Sequence, residues 1–196
     1  MGAMRAGSQM ISYELAMGLS IISIIMMSGS LSLREIAAQQ SEWHWNILYQ
    51  PLAFIIFLIC SFAETNRAPF DMSEGEHELV GGYNLEYSSM KMGFYLFAEY
   101  AAMFVSSAIL AVLFLGAYNY PGMTWAIENW GVNTANLIGV GAMFIKIFFF
   151  IFLFMWVRWT IPRFRYDQIM DLGWKALIPL SLLNIVLTAI GMLIFG

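Results

Sequence analysis

The chain has 196 residues, of which 60% are hydrophobic and 11% charged, with a formal net charge of -4. Soluble domains carry about 45–50% apolar and about 25% charged residues, so nine basic and 13 acidic side chains cannot solvate so apolar a surface, and its natural solvent is lipid. The acidic balance excludes a nucleic-acid role, and the single cysteine, Cys60, excludes a disulfide framework and any cysteine-ligated zinc or iron–sulfur centre, while His44 and His77, far apart in sequence, argue against a histidine metal site.

A membrane span needs roughly 20 mainly apolar residues, and five stretches qualify. The first, 11–33, carries Glu14 near its start; the second, 45–63, is uncharged. The third, 92–118, carries Glu99; the fourth, 135–157, carries Lys146; the fifth, 176–195, is uncharged. No internal repeat or low-complexity linker separates them. The expected fold is therefore an all-α integral membrane protein, one bundle of about five transmembrane helices forming a single domain over 1–196. The first run extends to residue 33, longer than the ~7–15 residues of a secretory signal core.

Five spans place the N-terminus and the loops 64–91 and 158–175 on one side. That side holds Arg5, Arg67, Lys91, Arg158, Arg163, Arg165 and Lys175, against only Arg34 on the other. The basic side is then cytoplasmic, or matrix-facing in a mitochondrion. Trp43, Trp45, Trp125 and Trp130 fall at the outer ends of spans, and Trp156, Trp159 and Trp174 flank the inner loop 158–175, as headgroup-level rings do.

Loop 64–91 concentrates the chemistry. It holds Glu64, Asp71, Glu74, Glu76, Glu78 and Glu86, six of the 13 acids. A solvated loop with a capped helix is one reading, since Asp71 or Ser73 would cap and Glu74 and Glu76 would favour a helix N-terminus. Leu79, Val80, Tyr83, Leu85 and Tyr87, interleaved with the acids, favour a loop packed against something. Glu99 lies about 10 Å of helix past Met92, where a lipid-facing carboxylate costs several kcal/mol. It must face the bundle interior, a hydrated cavity or a partner, and Glu14 reaches the same inner zone. Carboxyls gathered in such a place exchange protons near neutral pH; a neutral Glu bonded to a neighbouring helix is the alternative. Lys146, near mid-span, calls for a carboxylate or water, either as a proton-relay member or as the partner of an acid on another subunit. Cys60 reads as an inert core thiol, and the methionines as adaptable apolar packing.

The strings AETNRAPFD, EGEHELVGGYNLEYSSMK and FAEY, with RAGSQMISYE at 5–14, WVRWTIPRFRYDQ at 156–168 and LGWKALIPLSLLN at 172–184, run from end to end of the chain. They resemble the quinone-site membrane subunit of proton-pumping NADH:quinone oxidoreductase, respiratory complex I (the H subunit of the bacterial enzyme, subunit 1 of the mitochondrial one). Members of that family are longer and begin with further transmembrane helices, so the chain is expected to correspond to the C-terminal portion.

The resemblance implies an enzyme subunit, inactive alone, that forms the membrane side of the quinone cavity and relays the protonation and conformational changes of quinone reduction to pumping subunits. By motif, Glu64, Arg67, Asp71, Glu74, Glu76, Glu78 and Glu86 line the loop side of that cavity. Glu14 and Glu99 continue the relay into the membrane, with Lys146 a further relay candidate, and Arg5 and Arg165 contact neighbouring subunits or the quinone path. Quinone is the implied substrate, with no covalently bound cofactor and no metal in this chain; iron–sulfur clusters and FMN sit in partner subunits. The implied partners are peripheral-arm quinone-site subunits, the small membrane subunits beside the antiporter-like ones, and the lipid bilayer. A bacterial plasma membrane is the expected location, a mitochondrial inner membrane the alternative. A membrane subunit of an energy-converting hydrogenase or formate hydrogenlyase, and a scaffold or transporter, remain the competing readings.

Overall fold

The computed structural model describes residues 2–65, 70, 89–162 and 164–195. Among the described residues all regular structure is helical. In chain order the elements are α1 (Gly2–Ser28), α2 (Leu33–Gln39), α3 (Asn46–Tyr49), α4 (Pro51–Glu64), α5 (Met90–Leu115), α6 (Met123–Trp130), α7 (Val132–Thr160) and α8 (Tyr166–Asp171). A π-helical segment (Leu172–Leu177) then runs without a break into α9 (Ile178–Phe195). Among the described residues four helices are long and apolar enough to cross a membrane: Gly7–Ser28, Met90–Leu115, Val132–Thr160 and Tyr166–Ile194. The chain is an all-α, multi-pass membrane protein.

The uncharged stretch 45–63 is two helices, not one. Proline sits at the first position of α4, and the residue before a proline is pushed out of the helical region by its ring. Gln50 accordingly takes φ -130 and ψ 57, and α3 and α4 meet there at a kink. Broken backbone at membrane depth needs polar cover from the protein. The buried Gln50 side chain turns to α9, donating to Thr188 Oγ1 at 2.8 Å and accepting from Asn184 Nδ2 at 3.1 Å. The connections between spans are also more ordered than apolar runs alone suggest. Residues 33–39 form α2 and 123–130 form α6, which packs on α7.

Packing divides around α4. On one side α1 lies against α4 and α9; on the other α5 lies against α7, and α4 touches both groups. Aromatic rings join the halves: Phe54 and Phe57 of α4 meet Phe114 of α5 at 5.2 and 5.9 Å, and Phe62 meets Phe154 of α7 at 4.3 Å. Phe114, Phe150, Leu110 and Ile56 are fully buried in this core. Outward, α7 presents Ile145, Phe148, Phe149 and Phe152, the pattern of a helix whose outer face meets lipid.

Candidate functional site

The inner, basic end of the bundle is organised by α1. Its RAGSQMISYE stretch is helical from Gly2, which puts Gln9, Ser12 and Tyr13 toward the protein and Glu14 on the exposed side. Tyr13 is the hub. Its buried hydroxyl donates to the Ile169 carbonyl in the last turn of α8 at 2.9 Å, and its ring meets Phe70 edge-to-face at 5.5 Å. Phe70, the one residue described between Thr65 and Ser89, is itself buried; its carbonyl accepts from Gln9 Nε2 at 3.0 Å and its ring packs on Phe164 at 5.8 Å. The foot of the acidic loop is thus tied to α1 and to the segment before α8.

The π-helical segment belongs to the same junction. An i→i+5 turn widens the helix and frees local hydrogen-bonding groups, and such segments gather at functional places. Beyond the helical elements on either side of it, the segment packs on α1. Gly173 approaches Ser12 so closely that a Cβ would stand 3.3 Å from the Ser12 Cβ. Trp174 Nε1 donates to Ser12 Oγ at 2.9 Å, and Ser12 in turn donates to the Ser8 carbonyl at 2.8 Å. Ser8 and the Tyr166 hydroxyl are hydrogen-bonded at 2.9 Å. Gln9 Oε1, fully buried, has no partner among the described residues, which leaves an acceptor for a donor at this spot.

Of the residues expected to carry chemistry, the structure brings two together. Glu64 ends α4 beside α1, close enough to Glu14 for their charges to repel. Glu99 lies nine residues into α5, about 13 Å from its start, and is half-buried. Arg165 is exposed and caps α8, where its backbone N–H donates to Gln168 Oε1 at 3.2 Å. Arg67, Asp71, Glu74, Glu76, Glu78 and Glu86 lie outside the described residues, as does the side chain of Arg5.

Lys146 stands apart from the acids. The carboxylate or water that a buried ammonium calls for is replaced by three main-chain carbonyls. It donates to Leu115 at 2.6 Å, Ala117 at 3.0 Å and Asn119 at 2.5 Å, with the Trp45 ring 5.5 Å from the nitrogen. These acceptors lie at the outer end of α5, roughly 24 Å along the helix from Glu99.

Two open volumes flank these features. A groove of 780 Å³ between Met27, Leu52, Asn184, Leu187 and Met192 opens at the outer end, about 20 Å of α1 away from Glu14. A smaller one of 180 Å³, lined by Tyr100, Met103, Phe154 and Arg158, lies beside the helix that carries Glu99. Among the described residues no group of three His, Cys, Asp or Glu converges as a metal site would require.

Comparison with known proteins decides the family. The family model described as NADH dehydrogenase matches residues 1–189, nearly the whole chain. The chain belongs to the NADH dehydrogenase family. It is 70% identical to a protein named as the H subunit of NADH-quinone oxidoreductase in Flavobacterium psychrophilum over 195 residues, covering 100% of this chain and 57% of that protein. Its namesake in Flavobacterium johnsoniae is 68% identical over 188 residues, 96% of this chain and 54% of the relative. A protein of Geobacter sulfurreducens named as an H subunit of the same oxidoreductase is 50% identical over 194 residues, 97% of this chain and 51% of the relative. The chain spans little more than half the length of these curated relatives.

In this chain, sequence reasoning singled out charges and passed over the uncharged ties that Gln9, Ser12 and Tyr13 make at the same junction. Gln9, Ser12, Tyr13 and Trp174 carry no charge pattern. Their signal was polar residues on one face of an apolar helix, at Gln9, Ser12 and Tyr13, where lipid-facing side chains would be apolar.

Proposed function

We propose that this chain forms part of the membrane arm of a proton-translocating NADH:quinone oxidoreductase, on the membrane side of its quinone cavity. In this reading Glu14, Glu64 and Glu99, with the acids of residues 71–86, carry protonation changes from quinone reduction into the membrane. Quinone is the substrate; electrons arrive from FMN and iron–sulfur clusters held by partner subunits, among them those of the peripheral arm at the quinone site. On the membrane side the partners are the small subunits beside the antiporter-like ones, and the location is a bacterial plasma membrane. The oxidoreductase activity is that of the assembled complex.

The observation that carries the reading is the pairing of Glu14 with Glu64 beneath the foot of the acidic loop. Glu64 at the end of α4 and Glu14 of α1 lie within charge range, so a change of charge on one is felt by the other. Quinone reduced beside them takes up protons, and acids in this place are positioned to supply them. Tyr13 and Gln9 tie the loop's Phe70 to the helix that carries Glu14, so a movement of the loop is felt by the pair. Family membership and the relatives' names support the assignment to the complex.

The test uses the assembled complex. E14Q and E64Q, singly and together, and the triple variant E74Q/E76Q/E78Q are expected to lower quinone reduction or its coupling to pumping while assembly is kept. Full turnover with full pumping in all of them removes the acids from the mechanism.

A further inference from the structure

The last four carbonyls of a helix have no partner within it, and a bilayer supplies no water to take them. At the outer end of α5 three of the four are met by side chains from other elements. Gln40, just past α2, donates from Nε2 to Val112 and Leu113, each at 3.1 Å. Asn46 of α3 donates to Leu113 at 2.9 Å. Lys146 of α7 takes Leu115 and, in the turn that follows, Ala117 and Asn119. An ammonium has three donors, and here each has a carbonyl. Its charge also meets the negative end of the α5 dipole, with the Trp45 ring beside it.

This end matters because α5 is held unevenly. Met103, Ser107, Leu110, Ala111, Leu113 and Phe114 in its outer half are buried, whereas Phe94 and Phe97 in its inner half are 67% and 72% exposed. The half that bears Glu99 is therefore less deeply packed than the outer half. A helix is stiff over such a length, so a shift of its outer half is carried to its inner half.

We infer that Lys146 is a positioning residue: its ammonium clamps the outer end of α5 to α7 and thereby sets the place of Glu99, without carrying a proton itself. The inference rests on reading Glu99 as a proton-transfer group. Gln40 and Asn46 share the task, but of the three side chains it is Lys146 that ties α5 to α7 and brings a charge to the helix end.

Arginine separates clamp from carrier. It keeps the charge and offers several donors, yet does not release its proton in proteins. In the assembled complex, K146R is expected to keep quinone reduction and pumping within about twofold of wild type, and K146M to lose about tenfold, the effect of one or two charge-assisted hydrogen bonds. Hydrogen exchange at residues 112–121 reads the clamp directly: about tenfold faster in K146M and unchanged in K146R. A K146R complex as impaired as K146M makes Lys146 a proton carrier and overturns the inference. Unchanged exchange in K146M overturns it as well.

E99Q run in parallel keeps the two readings distinct. If E99Q pumps normally, the relay reading falls. If E99Q is impaired while K146M loosens the helix end and still pumps normally, the positioning inference falls. Should K146M not assemble, K146Q replaces it, and if neither assembles K146R decides: full activity with protected amides supports the clamp, and loss of either overturns it.

Discussion

The Tyr13 hydroxyl of α1 donates to the Ile169 carbonyl of α8 at 2.9 Å, across 156 residues of chain, at the turn where α8 gives way to the π-helical segment. The same ring rests against Phe70. One side chain thus joins the first helix, the last transmembrane helix and the foot of the acidic loop. Y13F removes the hydroxyl and keeps the ring, and is expected to cost about 1 kcal/mol, since the Ile169 carbonyl keeps a backbone donor from Leu172. Y13A also removes the packing and is expected to cost about 3–5 kcal/mol. Thermal unfolding of the purified membrane protein, followed in detergent, orders the two; equal effects would mean that the ring contributes nothing.

Trp174 and Ser12 form the second tie between α1 and the π-helical segment. S12A and W174F each delete one partner, and the double variant deletes both. The coupling energy from the cycle is expected near 1 kcal/mol if the bond is worth what a neutral hydrogen bond usually is. Strict additivity of the two single losses would show that the indole and the hydroxyl do not interact.

Gly116 closes α5 with φ +70, where a Cβ would stand 2.9 Å from both the Cβ and the carbonyl oxygen of Gln40. G116A combines a left-handed backbone, costing about 1–2 kcal/mol, with a collision against a residue that caps the helix. The expected loss exceeds about 2 kcal/mol, although helix propensity alone would favour alanine by ~0.5–1 kcal/mol. G141A in α7, where a Cβ meets nothing within 4 Å, is the control and is expected to be neutral or slightly stabilising. Thermal denaturation midpoints of the two variants should differ clearly.

Phe114 is fully buried between Phe54 and Phe57, whereas Phe152 is 63% exposed on the outer face of α7. Between helices in lipid the loss on truncation is packing more than transfer, because a tail is as apolar as a ring. F114A is still expected to cost about 3 kcal/mol by leaving a cavity, and F152A less than about 0.5 kcal/mol, since lipid refills the space. Similar losses in both would place Phe152 against protein.

Length, composition and the run of apolar residues by themselves determined a helical membrane protein with its basic ends on one side and its acids gathered in one loop, because hydrophobic periodicity and charge are local properties. The kink at Gln50 was also written locally, in the proline that follows it, although the apolar run 45–63 hides it. What covers that kink was not: Thr188 and Asn184 lie more than a hundred residues away. Only the tertiary structure set Glu14 beside Glu64, laid Ser12 and Tyr13 against Gly173 of the π-helical segment, and handed Lys146 three carbonyls in place of a carboxylate. The physical reason is common to all of these. A polar group in lipid must be satisfied, but any carbonyl, amide or acid of the right reach will serve, and which one arrives depends on how the helices pack.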